Sequence, residues 1–285
     1  MQPLQHHTRK VRLLAELALV LMCALFPSSG NAGNDSPTYT IAVLPQRPPV
    51  VMYARWRPLL DRLEKEAGIT LKLKLYESTA DFQADIAKGT PDFMYSTPPQ
   101  LVVVRGMQGY IPLVRGSRKL SGVLFVRNDS PIRTVDDLES GEIAFSGSWN
   151  ICSVLVQNVL HKDHPDLKFK QLYAGSMNNV VNHVLLGKAA AGSVIDVEFE
   201  NIAPETRTHL RPLLETQKIF PHPLSAHPRV PKSVRDKLAS AILALWEDEA
   251  GNALLVATRI TNPVRADYQR DYRHLENIDL MYPGN

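Results

Sequence analysis

The sequence predicts an α/β protein of two lobes, each a mainly parallel sheet flanked by helices, with a cleft between them. Three observations carry this expectation. A unit of helix, glycine stop, buried strand and polar helix start occurs at 81–98 and recurs in outline at 180–196. Strands and helices alternate along most of the chain, the pattern of parallel strands joined by crossover helices. Two extended segments, about 116–125 and about 219–226, are suited to passing between lobes. In open α/β sheets the carboxyl edge of the strands is where ligands sit, so two such edges suggest two lobes facing each other.

The elements follow in order. Thr38 to Leu44 is an alternating-to-apolar run of strand type, ended by Pro45 and the Pro48-Pro49 pair. Met52, Trp56, Leu59, Leu60, Leu63 and Ala67 fall on one helical face, closed by Gly68, which makes Trp56 a core residue. Leu71 to Tyr76 alternates as a half-buried strand, and Ser78 or Thr79 caps a helix that runs to Lys88. In the first copy of the unit, Phe82 and Ile86 carry the helical face, Gly89 stops it, and 92–95 is a strand followed by Ser96-Thr97-Pro98. Gln100 to Gly106 reads as helix, and Tyr110 to Val114 and Leu120 to Val126 as strands. Thr134 to Leu138 reads as a short capped helix.

The alternation then restarts. Strands are expected at 142–145 and 169–173, and helices at 151–160 and 177–186. In the second copy Val180, Val181, Val184 and Leu185 form the helical face, Gly187-Lys188 ends it, and Ala191 to Ile195 is a strand before Asp196. Residues 219–226 are extended, 233–246 is strongly helical, and the remainder is helical in pattern, with Leu254, Leu255 and Ile260, ending in a polar tail. The lobes are expected to divide as 33–117 with 222–285 for the first and 118–221 for the second. Long connecting strands allow hinge bending.

The N-terminus reads as a secretory signal. Arg9, Lys10 and Arg12 precede the apolar run Leu13 to Phe26, and Pro27 to Ala32 is a small-residue region with Gly30 and Ala32 at the selective positions for cleavage after Ala32. That run is short for a membrane span of about 20 residues. Removing 1–32 takes three bases and one acid from totals of 32 Lys+Arg and 29 Asp+Glu, so the remaining 253 residues carry 29 bases against 28 acids. That near-neutral balance, without a basic run interleaved with aromatics, argues against nucleic acid as a partner. Cys23 leaves with the signal and Cys152 stands alone, so no internal disulfide supports the fold.

Five stretches then resemble, in order, the phosphate, phosphite and phosphonate class of periplasmic solute-binding proteins that serve ABC transporters. They are Trp56-Arg-Pro-Leu-Leu-Asp-Arg-Leu; Ala87-Lys-Gly-Thr-Pro-Asp-Phe-Met-Tyr with Pro98; Val126-Arg-Asn-Asp-Ser-Pro-Ile-Arg-Thr-Val-Asp-Asp-Leu; Tyr173-Ala-Gly-Ser-Met-Asn; and Ala226-His-Pro-Arg-Val-Pro. The resemblance spans roughly Thr38 to Trp246. It implies a type II periplasmic binding protein, monomeric, with a small anionic ligand in the cleft, closure on binding, and a membrane permease that reads the closed form. A sensor kinase reading the ligand state is the alternative, for arsenite or another oxyanion. Where the family has Ser/Thr-rich residues this chain has Ser146-Gly-Ser-Trp-Asn-Ile-Cys-Ser153, and Met177 stands where many members have histidine. Trp149, Cys152 and Met177 make this cleft less polar than the family's usual one.

Candidate ligand residues follow from helix starts, where free N–H groups and the helix dipole attract anions. Ser96 and Thr97 precede one helix; Ser146, Ser148, Asn150 and Ser153 lie before or in the start of another; Ser176 precedes a third. Each of these residue types also serves as an ordinary N-cap. Gln46 and Arg47 follow the first strand, Arg47 as an anion contact or a solvated loop charge. Tyr53 and Tyr95 can stack on or hydrogen-bond a ligand. Asp196 is a candidate acceptor for an ammonium group or a protonated oxyanion, or a surface acid. Cys152, in the first turn of a helix, is either acidified by the dipole and able to bind a thiophilic species such as arsenite, or a buried small hydrophobe. His161 and His164 read as a solvated helix end, since spacing supplies no further metal ligands. No nucleophile elbow, phosphate loop or His-Glu-x-x-His motif is present, so neither an enzyme nor a cofactor is expected.

Overall fold

The computed structural model describes residues 36–148 and 150–277; the signal reading and Trp149 fall outside them. In chain order the elements are β1 (Thr38–Val43), α1 (Pro49–Ala67), β2 (Thr70–Lys74), α2 (Thr79–Ala87), β3 (Phe93–Tyr95), α3 (Pro98–Gln108), β4 (Ile111–Gly116) and β5 (Gly122–Arg127). Then come β6 (Glu142–Phe145), α4 (Ile151–Asp163), β7 (Lys170–Tyr173), α5 (Met177–Leu185), β8 (Ala191–Ile195), α6 (Asp196–Glu200), α7 (Pro204–Arg207) and β9 (Leu210–Glu215). The chain closes with β10 (Pro223–Ala226), α8 (Lys232–Leu245), α9 (Glu249–Ala257), β11 (Pro263–Arg265) and α10 (Tyr268–Asp271).

Two sheets result, a six-stranded one in the order β11-β4-β10-β3-β1-β2 and a five-stranded one in the order β7-β6-β8-β5-β9. Both are mixed. β1 pairs parallel with β2 and β3, and β6 parallel with β7 and β8, as the crossover helices require. Strands that arrive from the other sheet enter antiparallel: β10 between β3 and β4, and β5 between β8 and β9.

Alternation along the strands sets the packing. In the first sheet Ile41, Val43, Phe93 and Tyr95 face α1 and α8 in one apolar cluster, while Ala42 and Met94 face Phe82 and Ile86 of α2 and Leu101 and Val104 of α3 in another. In the second sheet Phe125 and Val194 meet Val180 and Val184 of α5, and Ile143 and Phe145 meet Val156 and Leu160 of α4. Trp56 is buried in the first cluster, as its helical spacing predicts.

The remainder departs from sequence expectation in three places. The segment after α9 is not simply helical, because β11 adds an edge strand. β9, which no local pattern marks, is the opposite sheet's edge. At 134–138 only a 3₁₀ turn forms, over Asp136–Leu138, and its cap is reversed: the Asp137 carboxylate accepts from the N–H groups of Arg133 and Thr134.

Two segments link the sheets, from β4 to β5 and from β9 to β10. They are tied by a bridge in which Leu120 and Ile219 exchange both backbone hydrogen bonds at 2.8 Å. Below it, Arg115 makes a bidentate pair with buried Asp271 at 2.9 and 3.0 Å and lies 3.5 Å from the Phe220 ring centre. Tyr272 donates to the Pro221 carbonyl at 2.9 Å. The C-terminal turn thus props the linking segments from the first-sheet side.

Candidate functional site

The carboxyl edge of the first sheet is built by β1 and β3. Val43 pairs with Tyr95, and the Leu44 N–H donates to the Tyr95 carbonyl at 3.0 Å. Ser96 and Thr97 follow. Thr97 caps α3 with a reciprocal capping box: its hydroxyl accepts from the Gln100 N–H at 3.3 Å, and its own N–H donates to Gln100 Oε1 at 3.0 Å. The Thr97 hydroxyl is therefore occupied. The Ser96 hydroxyl is buried and has no hydrogen-bond partner among the described residues. Tyr95 lies between the rings of Trp56, at 4.9 Å, and His222, at 5.6 Å. Gln46 and Arg47 occupy an exposed bend between β1 and α1, and Tyr53 is 54% exposed on α1. These three stand at the correct strand end but outside the buried group.

On the second sheet β6 delivers Ser146 and the start of α4. Asn150 is the N-cap, its Oδ1 accepting from the Cys152 N–H at 3.1 Å and from the Cys152 thiol at 2.8 Å. The Ser146 and Ser153 hydroxyls are buried without a hydrogen-bond partner among the described residues. Ser148 is exposed. The dipole-acidified reading of Cys152 is corrected here. Burial pushes the thiol up to about 11, a rise that the nearby hydroxyls of Ser146, Ser193 and Ser153 only partly oppose. Fully buried and protonated, Cys152 packs as a small hydrophobe with Ile151 and Leu155.

The other predicted residues are spread along the same edge. Ser176 caps α5 by accepting from the Asn179 N–H at 3.2 Å, so its hydroxyl is occupied too. Met177 is half-buried and packs against apolar clusters on both sides. Asp196 is buried rather than a surface acid. One of its oxygens accepts from the next N–H, that of Val197 in the first turn of α6, at 2.8 Å, and the other lies 3.6 Å from Arg118. The two edges approach one another, since Leu44 and Met94 of the first share one apolar cluster with Ile151, Cys152 and Ile195 of the second.

Sequence reasoning missed three residues here. His222 stacks on Tyr95 and is held down to about 4, by burial first and by the Arg259 charge second. Arg259 and Glu198 form an ion pair at 3.6 Å between the two halves. Pro221-His222-Pro223 in an extended segment was the available signal for His222. Nothing local marks the other two. Among the described residues no group of three or more His, Cys, Asp or Glu is placed to hold a metal ion.

Comparison with known proteins agrees with this architecture. XAC2383 from Xanthomonas citri, solved with chloride bound, matches with a TM-score of 0.72 at 18% identity over 84% of this chain and 95% of that one. PhnD1 from Prochlorococcus marinus, solved with methylphosphonate, matches with a TM-score of 0.70 at 14% identity over 85% of this chain and 96% of that one. The binding-protein component of an ABC phosphonate transporter, PA3383 from Pseudomonas aeruginosa, matches with a TM-score of 0.64 at 12% identity, covering 82% of each chain. No curated protein matches the chain in sequence. At these identities the likeness establishes the fold, that of a type II periplasmic binding protein. A family profile described as "ABC transporter, phosphonate, periplasmic substrate-binding protein" matches residues 41–272. With more than half of its 285 residues matched, the chain belongs to the periplasmic substrate-binding proteins of phosphonate ABC transporters.

Proposed function

We propose that this protein captures a small phosphonate-, phosphite- or phosphate-like oxyanion in the periplasm and delivers it to an ABC permease. The observation that carries the reading is the set of buried, unpartnered hydroxyls of Ser96, Ser146 and Ser153 at the starts of α3 and α4. A buried hydroxyl without a partner costs about 1–3 kcal/mol, so three at two helix N-termini call for an acceptor that arrives with the ligand. Helix N-termini add unpaired N–H groups and a favourable dipole for negative charge. The lobes divide at 117 and 222, with the Leu120–Ile219 bridge as the hinge, and a cleavable signal at 1–32 directs export.

Thermal-shift screening against phosphate, phosphite, methylphosphonate, arsenite and small organic acids tests this, because a tight ligand raises the unfolding temperature by mass action. Stabilisation by one of the first three is expected, and failure of all oxyanions overturns the reading. Ser96→Ala and Ser146→Ala should each weaken binding of that oxyanion by about tenfold or more, the loss of a hydrogen bond to a charged group. Neither should lower the unfolding temperature appreciably, since the Ser96 hydroxyl makes no bond to lose and the Ser146 hydroxyl meets only the weakly accepting Cys152 thiol.

A further inference from the structure

We propose that Arg259 and Glu198 form a latch that holds the two halves closed over the ligand, with Arg259 as a positioning residue; this rests on the solute-binding reading above. Arg259 follows α9 with φ of 65°, in the left-handed region, and its N–H donates to the Val256 carbonyl at 3.0 Å. That is the position at a helix end which glycine fills most readily. The chain does use glycine after α1, α2, α3 and α5, with Gly68, Gly89, Gly109 and Gly187 all at positive φ. At α9 it keeps an arginine in a conformation that L residues disfavour. Such strain persists where the side chain has a task.

The guanidinium points to that task. Its Nη2 lies 3.6 Å from Oε1 of Glu198 on α6, which belongs to the second sheet's half, whereas Ile260, the next residue, is buried in the first sheet's core. α6 carries three acids. Arg118, on the linking segment itself, holds Glu200 at 2.8 Å and Asp196 at 3.6 Å, which leaves Glu198 to Arg259. Among ion pairs of the described residues, Arg259–Glu198 is the one that joins the two halves directly rather than through a linking segment. The Arg259 charge is also felt at Tyr95 and His222, which line the first sheet's edge.

The loop that bears Arg259 is fastened to the hinge. The Ser117 N–H donates to the carbonyls of Thr261 and Asn262 at 3.3 and 3.1 Å. At Gly116 a Cβ would meet the Thr261 carbonyl at 3.0 Å, so the absence of a side chain there favours this close approach. Loop and first linking strand therefore move together, and the pair with Glu198 reports, and resists, their separation from α6.

The test uses the full chain with the substitutions R259G, R259E and E198R, and the charge swap R259E/E198R. Arg259→Gly suits the backbone and removes only the side chain, so it should melt no lower than the native protein. It should nonetheless bind methylphosphonate about two- to fivefold more weakly, through faster dissociation, the range for a partly exposed ion pair. High salt should erase the difference, each single charge reversal should weaken binding, and the swap should restore it. Native-like affinity in R259G at low salt, or single reversals that the swap does not rescue, would overturn the latch. Small-angle scattering without ligand gives an independent reading: R259E should be more expanded than the native chain and the swap should recompact it. If methylphosphonate does not bind the native protein, the affinity measurements use whichever oxyanion does; if none binds, the oxyanion reading falls and scattering alone decides, with unchanged dimensions in R259E counting against the latch.

Discussion

In the first copy of the repeated unit Phe82 and Ile86 stand seven and three residues before Gly89, and Met94 stands five after it. In the second, Val180, Val184 and Gly192 keep the same offsets from Gly187. Both glycines have φ of 68°, and each donates its N–H to the carbonyl three residues earlier at 3.0 Å. The backbone device is the same. What differs is what it carries. The first copy packs Phe82 and Ile86 on Met94, whereas the second sets two valines directly on a glycine, where a Cβ would meet Val180, Val184 and Phe125 at 2.7–2.9 Å. The ends differ more. After β3 come Ser96 and the capped, eleven-residue α3; after β8 comes Asp196, the first residue of the five-residue α6, whose carboxylate accepts from the Val197 N–H. An acid in that place occupies the positive end of its own helix. The repeat thus locates the facing edges, but it leaves the second sheet's longer helix start, with buried Ser146 and Ser153, to α4, which follows a different strand.

The packing half of this contrast breaks most easily. Met94→Ala empties a tightly filled site and should cost about 2–5 kcal/mol. Gly192→Ala overfills the matching site and should cost about 1–3 kcal/mol. Denaturant midpoints at constant slope measure both. If Gly192→Ala were neutral, α5 could retreat from β8, and the close helix–strand approach would not be a fixed property of the second copy.

The next effect belongs to the first copy's neighbour, His222. Its folded value of about 4 against an ordinary 6.5 comes from burial first and the Arg259 charge second. The unfolded chain then binds more protons than the folded one between pH 6.5 and 4, so stability is present above that window and is lost as pH falls through it. His222 should account for about 1–2 kcal/mol at pH 5, and His222→Gln should flatten that part of the profile. His227 and His274 are shifted the same way, so the measurement is the difference between variant and native curves. Aspartates whose values are lowered, such as Asp271 beside Arg270 and Arg115, act below this range. An identical slope in the variant would place His222 in solvent rather than against Tyr95.

Much of the fold was legible because burial imposes a period. The six predicted core positions of α1 are all buried, and the strands 142–145 and 191–195 begin and end where the pattern puts them. The two strands that escaped, β9 and β11, share a cause. Both are edge strands containing a proline, Pro212 and Pro263, and both are only partly buried, so neither alternation nor composition marks them. The antiparallel entries of β5 and β10 were illegible for another reason: direction within a sheet depends on where a linking segment lands, which no local period encodes. At the site, Ser, Thr and Asn before helices found the caps Thr97, Asn150 and Ser176. Which hydroxyls the caps consume, and which they leave unpaired, is decided by geometry. Arg259 had no local signal because its partners, Glu198 and the Tyr95–His222 pair, are distant in sequence.

The smallest effect tests the second copy's end. In Asp196→Asn the amide oxygen can still accept from the Val197 N–H, and only a partly exposed contact with Arg118 is lost. Stability should change by less than about 1 kcal/mol. Methylphosphonate affinity should stay within about threefold of native, because loss of an acceptor for a protonated oxygen is offset by relief of repulsion toward an ionised one. The serine substitutions, by contrast, should lower affinity and leave stability intact. A loss of tenfold or more in Asp196→Asn, shrinking as pH rises and the ligand's hydroxyl ionises, would instead put the carboxylate on that hydroxyl. Both copies of the unit would then reach the anion, one through a hydroxyl that donates and the other through an acid that accepts.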